Sequence, residues 1–194
     1  LTLNASTGAI TGTPTVAANS NPVSVRVTDA SVPAQTATAS FNPGIYAALA
    51  VTTASLKDGV VGAAYSDSMA SSGGKGPFTW SVTGTLPAGL ALNTATGAIT
   101  GTPTAVAAPS LTFQVTDSAN PARTATRVLT LNARAALASA TSTLVDGVVG
   151  VAYSDTVVVT GGLAPYNLTI AFSTLPAGLS LNATTGAVTG TPTA

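Results

Sequence analysis

Short stretches in which apolar and polar side chains alternate run along the chain, and Gly, Pro and Asn punctuate them. In Phe78-Thr79-Trp80-Ser81-Val82, the first, third and fifth residues share one face, and Thr79 and Ser81 share the other. A period of two marks a half-buried strand. Leu111-Thr112-Phe113-Gln114-Val115 alternates in the same way. Between these lie further predicted strands. Ala47 to Leu56 comes first, and Asp58-Gly59 and Gly62 then interrupt it and let the chain kink. Ala63 to Ser71 is next, ending at the Ser72-to-Pro77 turn. Leu86 to Leu92 suits an edge, because Pro87 cannot donate to a ladder. Asn93 to Gly97 makes a hairpin turn ahead of Ala98-Ile99-Thr100, and Thr124 to Leu131 closes the set. The expected core is Phe78, Trp80, Leu86, Leu90, Leu92, Ile99, Leu111, Phe113, Val115 and Leu129.

The pattern repeats. Leu3 to Thr15 returns as Leu92 to Thr104 and again as Leu181 to Thr193, each time 89 residues on. Asp58 to Asp67 returns as Asp146 to Asp155, and Val27-Thr28-Asp29 as Val115-Thr116-Asp117, both 88 residues on. A period of 88–89 residues suits one small β-sandwich per repeat and is too long for a solenoid coil. The expected fold is therefore all-β, with tandem immunoglobulin-like, seven-stranded Greek-key sandwiches. The expected division is 1–45 as the C-terminal half of one repeat, 46–133 as a complete repeat, and 134–194 as the N-terminal part of a third. The chain does not begin with Met and opens on no leader pattern, so it reads as a window cut from a longer array. Self-complementing halves in a polymer are the lesser alternative. Asn132 to Ser139 carries no Gly or Pro, which leaves no flexible linker at the second junction. The matching stretch of the first junction holds Asn42-Pro43-Gly44, a turn signal that could bend it.

Composition narrows the function. Six Lys/Arg balance six Asp, only 6% of residues are charged, and there is no Glu, His or Cys. No basic face for nucleic acid and no polybasic membrane patch can be built from this set. No apolar run approaches the roughly 20 residues of a membrane helix. Disulfides and thiolate metal sites are excluded.

One group of motifs bears a family resemblance. Leu86-Pro87-Ala88-Gly89-Leu90, followed by Leu92-Asn93, Thr96-Gly97 and Thr100-Gly101-Thr102-Pro103, resembles the immunoglobulin-like (cadherin-like) tandem repeat family of large bacterial surface and secreted proteins. Gly62 to Ser66, Gly73-Gly74 and Val115-Thr116-Asp117 fit the same pattern, and the resemblance spans essentially the whole chain. It implies a cadherin-like or immunoglobulin-like sandwich, tandem arrays, an extracellular location and no catalytic residues. Members serve as stalks, adhesins or accessory modules of secreted enzymes.

Candidate chemistry is sparse. Without His or Glu, no nucleophile–base triad of the common form can be assembled, and no enzyme is expected. Asp29, Asp58 and Asp67, with their equivalents Asp117, Asp146 and Asp155, are the calcium candidates, because Ca²⁺ collects six to eight oxygens, often from carboxylates. Asp29 could meet Asp58 at a junction. The competing and preferred reading makes these residues turn caps and Asp-Gly turns. No cofactor other than calcium is in view. Lys57 and Lys75 are the only lysines that could form an internal isopeptide bond. Asn4, Asn167 and Asn182 sit in Asn-x-Ser/Thr sequences. Tyr46, Tyr65, Tyr153 and Tyr166 could form a sugar-binding strip, although Tyr65 and Tyr153 recur at one repeat position, which suggests packing.

The leading expectation is a structural segment of an extracellular, cell-surface fibre, filament or adhesin stalk. Its partners would be neighbouring repeats and other copies of itself. The alternatives are a carbohydrate-binding or accessory module of a secreted enzyme, and a calcium-stiffened adhesion domain.

Overall fold

The computed structural model describes residues 1–193. Strands are the only regular elements among them. The first repeat contains β1 (Thr2–Leu3), β2 (Ile10–Thr11), β3 (Val23–Thr28) and β4 (Thr36–Phe41). The second contains β5 (Ala50–Val51), β6 (Gly59–Val60), β7 (Tyr65–Ser68), β8 (Ser71–Ser72), β9 (Thr79–Thr83), β10 (Leu90–Leu92), β11 (Ala98–Gly101), β12 (Ser110–Thr116), β13 (Thr124–Thr130) and β14 (Ala133–Arg134). The third contains β15 (Ala138–Ser139), β16 (Tyr153–Thr156), β17 (Val159–Thr160), β18 (Leu179–Leu181) and β19 (Ala187–Gly190).

In the second repeat two antiparallel layers face each other. One has the order β10-β11-β7, and the other β13-β12-β9. Trp80 sits opposite Val115, and Leu111 opposite Leu129. The side chains of Ile99, Leu111, Phe113, Val115 and Leu131 have no exposed surface, and Trp80, Met69 and Tyr65 are buried with them. Phe78, Val82, Leu86, Leu90 and Leu92 pack half-buried at the margin. The alternation of period two therefore placed the inward face correctly. It did not find Met69, Tyr65 or Leu131.

The first predicted strand is shorter than expected. β5 pairs antiparallel with β8, and β6 pairs parallel with β14. The chain thus crosses from one layer to the other between Val51 and Gly59. The predicted Ala63–Ser71 strand is likewise split at Met69 and Ala70. Met69 donates its N–H to Gly97 O, and Ala70 O accepts from Thr52 N–H. Each segment follows a different partner strand, so neither reads as one straight ladder.

Identical sequence is buried differently in different repeats. Ile10 of β2 is 53% exposed, whereas Ile99 in the same motif of β11 is 0% exposed. Ile99 and Val188, at the same place in the third repeat and 2% exposed, both lie on a strand flanked on each side, whereas β2 has only β1 beside it, so the neighbouring strand decides the burial.

Candidate functional site

Five of the six aspartates of the calcium reading serve three local purposes. Asp29 Oδ1 accepts from Ser31 N–H at 3.2 Å, Ser31 Oγ–H at 2.6 Å and Gln35 N–H at 2.7 Å. Asp117 does the same work one repeat on. It accepts from Ala119 N–H and Arg123 N–H on Oδ1, and from Lys75 N–H on Oδ2 at 3.1 Å. Hydrogen bonds hold both carboxyls below the usual carboxylate range, led by the Ser31 hydroxyl for Asp29 and by the Arg123 amide for Asp117.

Asp67 and Asp155 form the second class. Asp67 Oδ2 accepts from Lys57 N–H at 2.9 Å, while the Tyr65 hydroxyl donates to Lys57 O at 3.1 Å. In the third repeat Asp155 and Tyr153 grip Val145 N–H and O at 2.8 and 3.0 Å. Both backbone polar groups of the layer-crossing residue are thereby satisfied by a Tyr-x-Asp pair on one strand. The recurrence of Tyr65 and Tyr153 is explained by this grip. Burial, assisted by the nearby Asp67 carboxylate, pushes the Tyr65 phenol up to about 12. Desolvation, with Asp155 and Asp146 nearby, raises Tyr153 as well. The Val145 amide is the main cause that lowers Asp155.

Asp58 is the third case. Its Oδ1 accepts from Asn132 Nδ2 and its Oδ2 from Arg134 Nε, each at 2.7 Å. These bonds, with Asn132 leading, lower its pKa. Its equivalent Asp146 is exposed at the start of the same Asp-Gly step. Asp29 bonds within its own loop to Ser31 and Gln35, whereas Asp58 bonds to Asn132 and Arg134 at the second junction. Among the described residues no three carboxylates come together as a metal-holding group.

The other candidates also have local settings. Lys57 Nζ is 4.0 Å from Asp67 Oδ1 with its side chain 74% exposed. Asn4 and Asn182 bond the backbone N–H groups of the next turn through Oδ1, as Asn93 does without a glycosylation sequence. Two of the three Asn-x-Ser/Thr matches thus coincide with a turn device. Tyr166 donates to Gly161 O.

The junctions contain no slack. Ile45 exchanges backbone hydrogen bonds with Ala18 of the first repeat, and Ala47 O already accepts from Gly74 N–H of the second. Only Tyr46 lies between. At the next junction Ala133 bonds Ala107, Arg134 pairs with Val60, and Ala135 O accepts from Gly162 N–H of the third repeat. The turn signal at Asn42-Pro43-Gly44 becomes a packing site, because a Cβ on Gly44 would lie 2.8 Å from the Tyr46 ring.

At the first junction a cleft of about 300 Å³ opens between the two repeats. Asn19 and Asn42 line it from the first repeat, and Lys75, Asn120 and Arg123 from the second, with Tyr46 between them. Sequence reasoning missed this cluster. The signal was there in comparing repeats: the positions of Asn19, Tyr46 and Lys75 become Ala108, Arg134 and Leu163 one period later.

No curated protein sequence matches the chain. Among solved structures, the protocadherin GammaB4 extracellular domain aligns at 18% identity and a TM-score of 0.42, over 91% of this chain and 34% of that one. Mouse PcdhgC3 EC1-3 aligns at 16% identity and a TM-score of 0.40, over 91% and 67%. A Bacteroides fragilis NCTC 9343 protein described as a "putative alpha-galactosidase" aligns at 22% identity and a TM-score of 0.35, over 43% and 17%. The chain thus spans about a third of the length of the first of these structures. A family model described as "Putative Ig domain" matches residues 1–44, 42–134 and 135–194, so the chain belongs to that immunoglobulin-like family along its whole length.

Proposed function

We propose that this chain is a non-catalytic, extracellular spacer, a stretch of a surface fibre or adhesin stalk built from immunoglobulin-like repeats. The observation that carries the reading is the linker-free junction. Tyr46 alone separates the last backbone hydrogen bond of the first repeat from the first of the second, and at the next junction no residue intervenes, because Arg134 O accepts from Val61 N–H and Ala135 O from Gly162 N–H. Repeats joined in this way hold their relative orientation far better than repeats on Gly/Ser tethers, and contacts only between neighbours make a quasi-one-dimensional object. Low charge supports lateral association with other copies, since little repulsion keeps them apart. The scarcity of Lys and Arg leaves few tryptic sites, and the absence of Cys with a single Met leaves little to oxidise, as suits an exposed appendage.

Small-angle X-ray scattering on this chain, and on versions lengthened by one and two copies of residues 46–133, tests the reading. A rod whose length grows by a constant increment supports it. Chain dimensions that grow as for a flexible string of beads overturn it.

A further inference from the structure

We propose that the cleft at the first junction binds a carboxylate-bearing sugar unit of an acidic polysaccharide. The charge pattern comes first. The chain carries only six cationic side chains, and two of them, Lys75 and Arg123, converge on this one cleft with no acidic residue in its lining. Neither forms an ion pair among the described residues, whereas Lys57 and Arg134 do. Arg123 does lie in the field of Asp117. That carboxylate is turned inward, is 4% exposed, and directs its oxygens at backbone N–H groups.

Those bonds preorganise the site. Asp117 holds the amides of both Lys75 and Arg123, at 3.1 and 2.8 Å. Ser118 ties the same two loops together, its N–H and hydroxyl reaching Lys75 O and its hydroxyl reaching Gly76 O. The two cation-bearing loops therefore do not have to be ordered when a ligand arrives.

The remaining lining selects the ligand class. Asn19, Asn42 and Asn120 offer carboxamides, which both donate to and accept from hydroxyls. Asn42 Oδ1 is already occupied by Ser20 Oγ–H and Asn21 N–H, which leaves its amide hydrogens for a ligand. Tyr46 adds an aromatic ring backed by Gly44. Amides, a ring and two cations match a hydroxylated ring that bears a carboxylate, and about 300 Å³ is at the small end of ligand sites. The site is specific to this junction, because the next one has Leu163 at the position of Lys75 and Arg134 at that of Tyr46.

The repeats also supply fold-compatible test variants. Lys75→Leu copies Leu163, and Arg123→Gln copies Gln35. Calorimetric and amide-NMR titrations would use trigalacturonate, neutral maltotriose and sodium sulfate. The expected result is saturable trigalacturonate binding that perturbs the amides of residues 75, 120 and 123. Each single variant should weaken it about five- to tenfold, with little response to maltotriose. Unchanged fluorescence of Trp80 confirms that the variants fold. Absent trigalacturonate binding, or equal affinity in the double variant, overturns the site. Sulfate or maltotriose binding as tightly as trigalacturonate overturns the ligand class. Neither result bears on the spacer reading, which the scattering series tests alone.

Discussion

Replacing Gly97 with Ala measures how closely the Asn93–Gly97 hairpin closes on the core. Gly97 has φ of +75°, where a Cβ adds about 1–2 kcal/mol of backbone strain. The new methyl would also lie 2.9 Å from Trp80 Nε1 and 3.1 Å from Cδ1 and Cε2. Contacts that short force the indole or the hairpin to move, and such overpacking costs about 1–3 kcal/mol. The two effects together predict a loss of about 2–5 kcal/mol for the second repeat. Gly8 provides the control. It holds the same place in the first hairpin at φ +72°, with nothing within 4 Å of its would-be Cβ. Trp80 is the only tryptophan, so its fluorescence follows the second repeat alone. With a urea slope of about 1–3 kcal/mol per molar, Gly97→Ala should lower the Trp80 midpoint by about 1 M or more. Gly8→Ala should leave that midpoint in place. A loss under about 1 kcal/mol for Gly97→Ala would refute close packing of the indole on the hairpin.

Asp58→Ala removes the bonds to Asn132 and Arg134. Because the pair is about a third exposed, urea unfolding should show a loss of only about 0.5–1.5 kcal/mol, smaller in high salt. Acid should destabilise the fold. The folded-state pKa values of Asp29, Asp58, Asp117 and Asp155 are lowered, so the stability they add is present above 3.8 and lost as pH falls through their folded values. A pH series of urea melts should therefore be flat near neutrality and decline below about pH 4. At the alkaline end the sign reverses. The Tyr65 contribution is present below 10 and lost as pH rises toward about 12, and Tyr65→Phe should flatten that limb. Chelator should leave the Trp80 transition unmoved, since these aspartates spend their oxygens on backbone and side-chain donors. A midpoint that falls on chelation would support the calcium reading instead.

Features set by near neighbours were legible in the sequence. The Asn93 turn needs only the N–H groups two and three residues on, and Asn-x-x-x-Gly announces it. Strand alternation at Phe78–Val82 and Leu111–Val115 likewise fixed the inward face. What stayed hidden depends on residues far apart in sequence. Asp117 reaches Lys75 N–H across 42 residues, and Asp58 reaches Arg134 across 76. Nothing local to Asp58 or Asp67 distinguishes a calcium ligand from a backbone clamp. The junction cleft is harder still, because it exists only where two repeats abut. Met69 escaped because the strand that holds it changes partners at that residue.

The parallel pairing of β6 with β14 bears on how the array would carry a pulling force. β6 connects back toward the preceding repeat, and β14 leads directly into the next. Tension along the chain would draw the two strands in opposite directions along their length. They must slide past each other, so Gly59 N–H to Asn132 O, Val61 N–H to Arg134 O and both Asp58 side-chain bonds are strained together. An end-pulled antiparallel hairpin would instead unzip one bond at a time. The second repeat therefore meets an axial pull in shear, and Asp58 lies in the sliding plane.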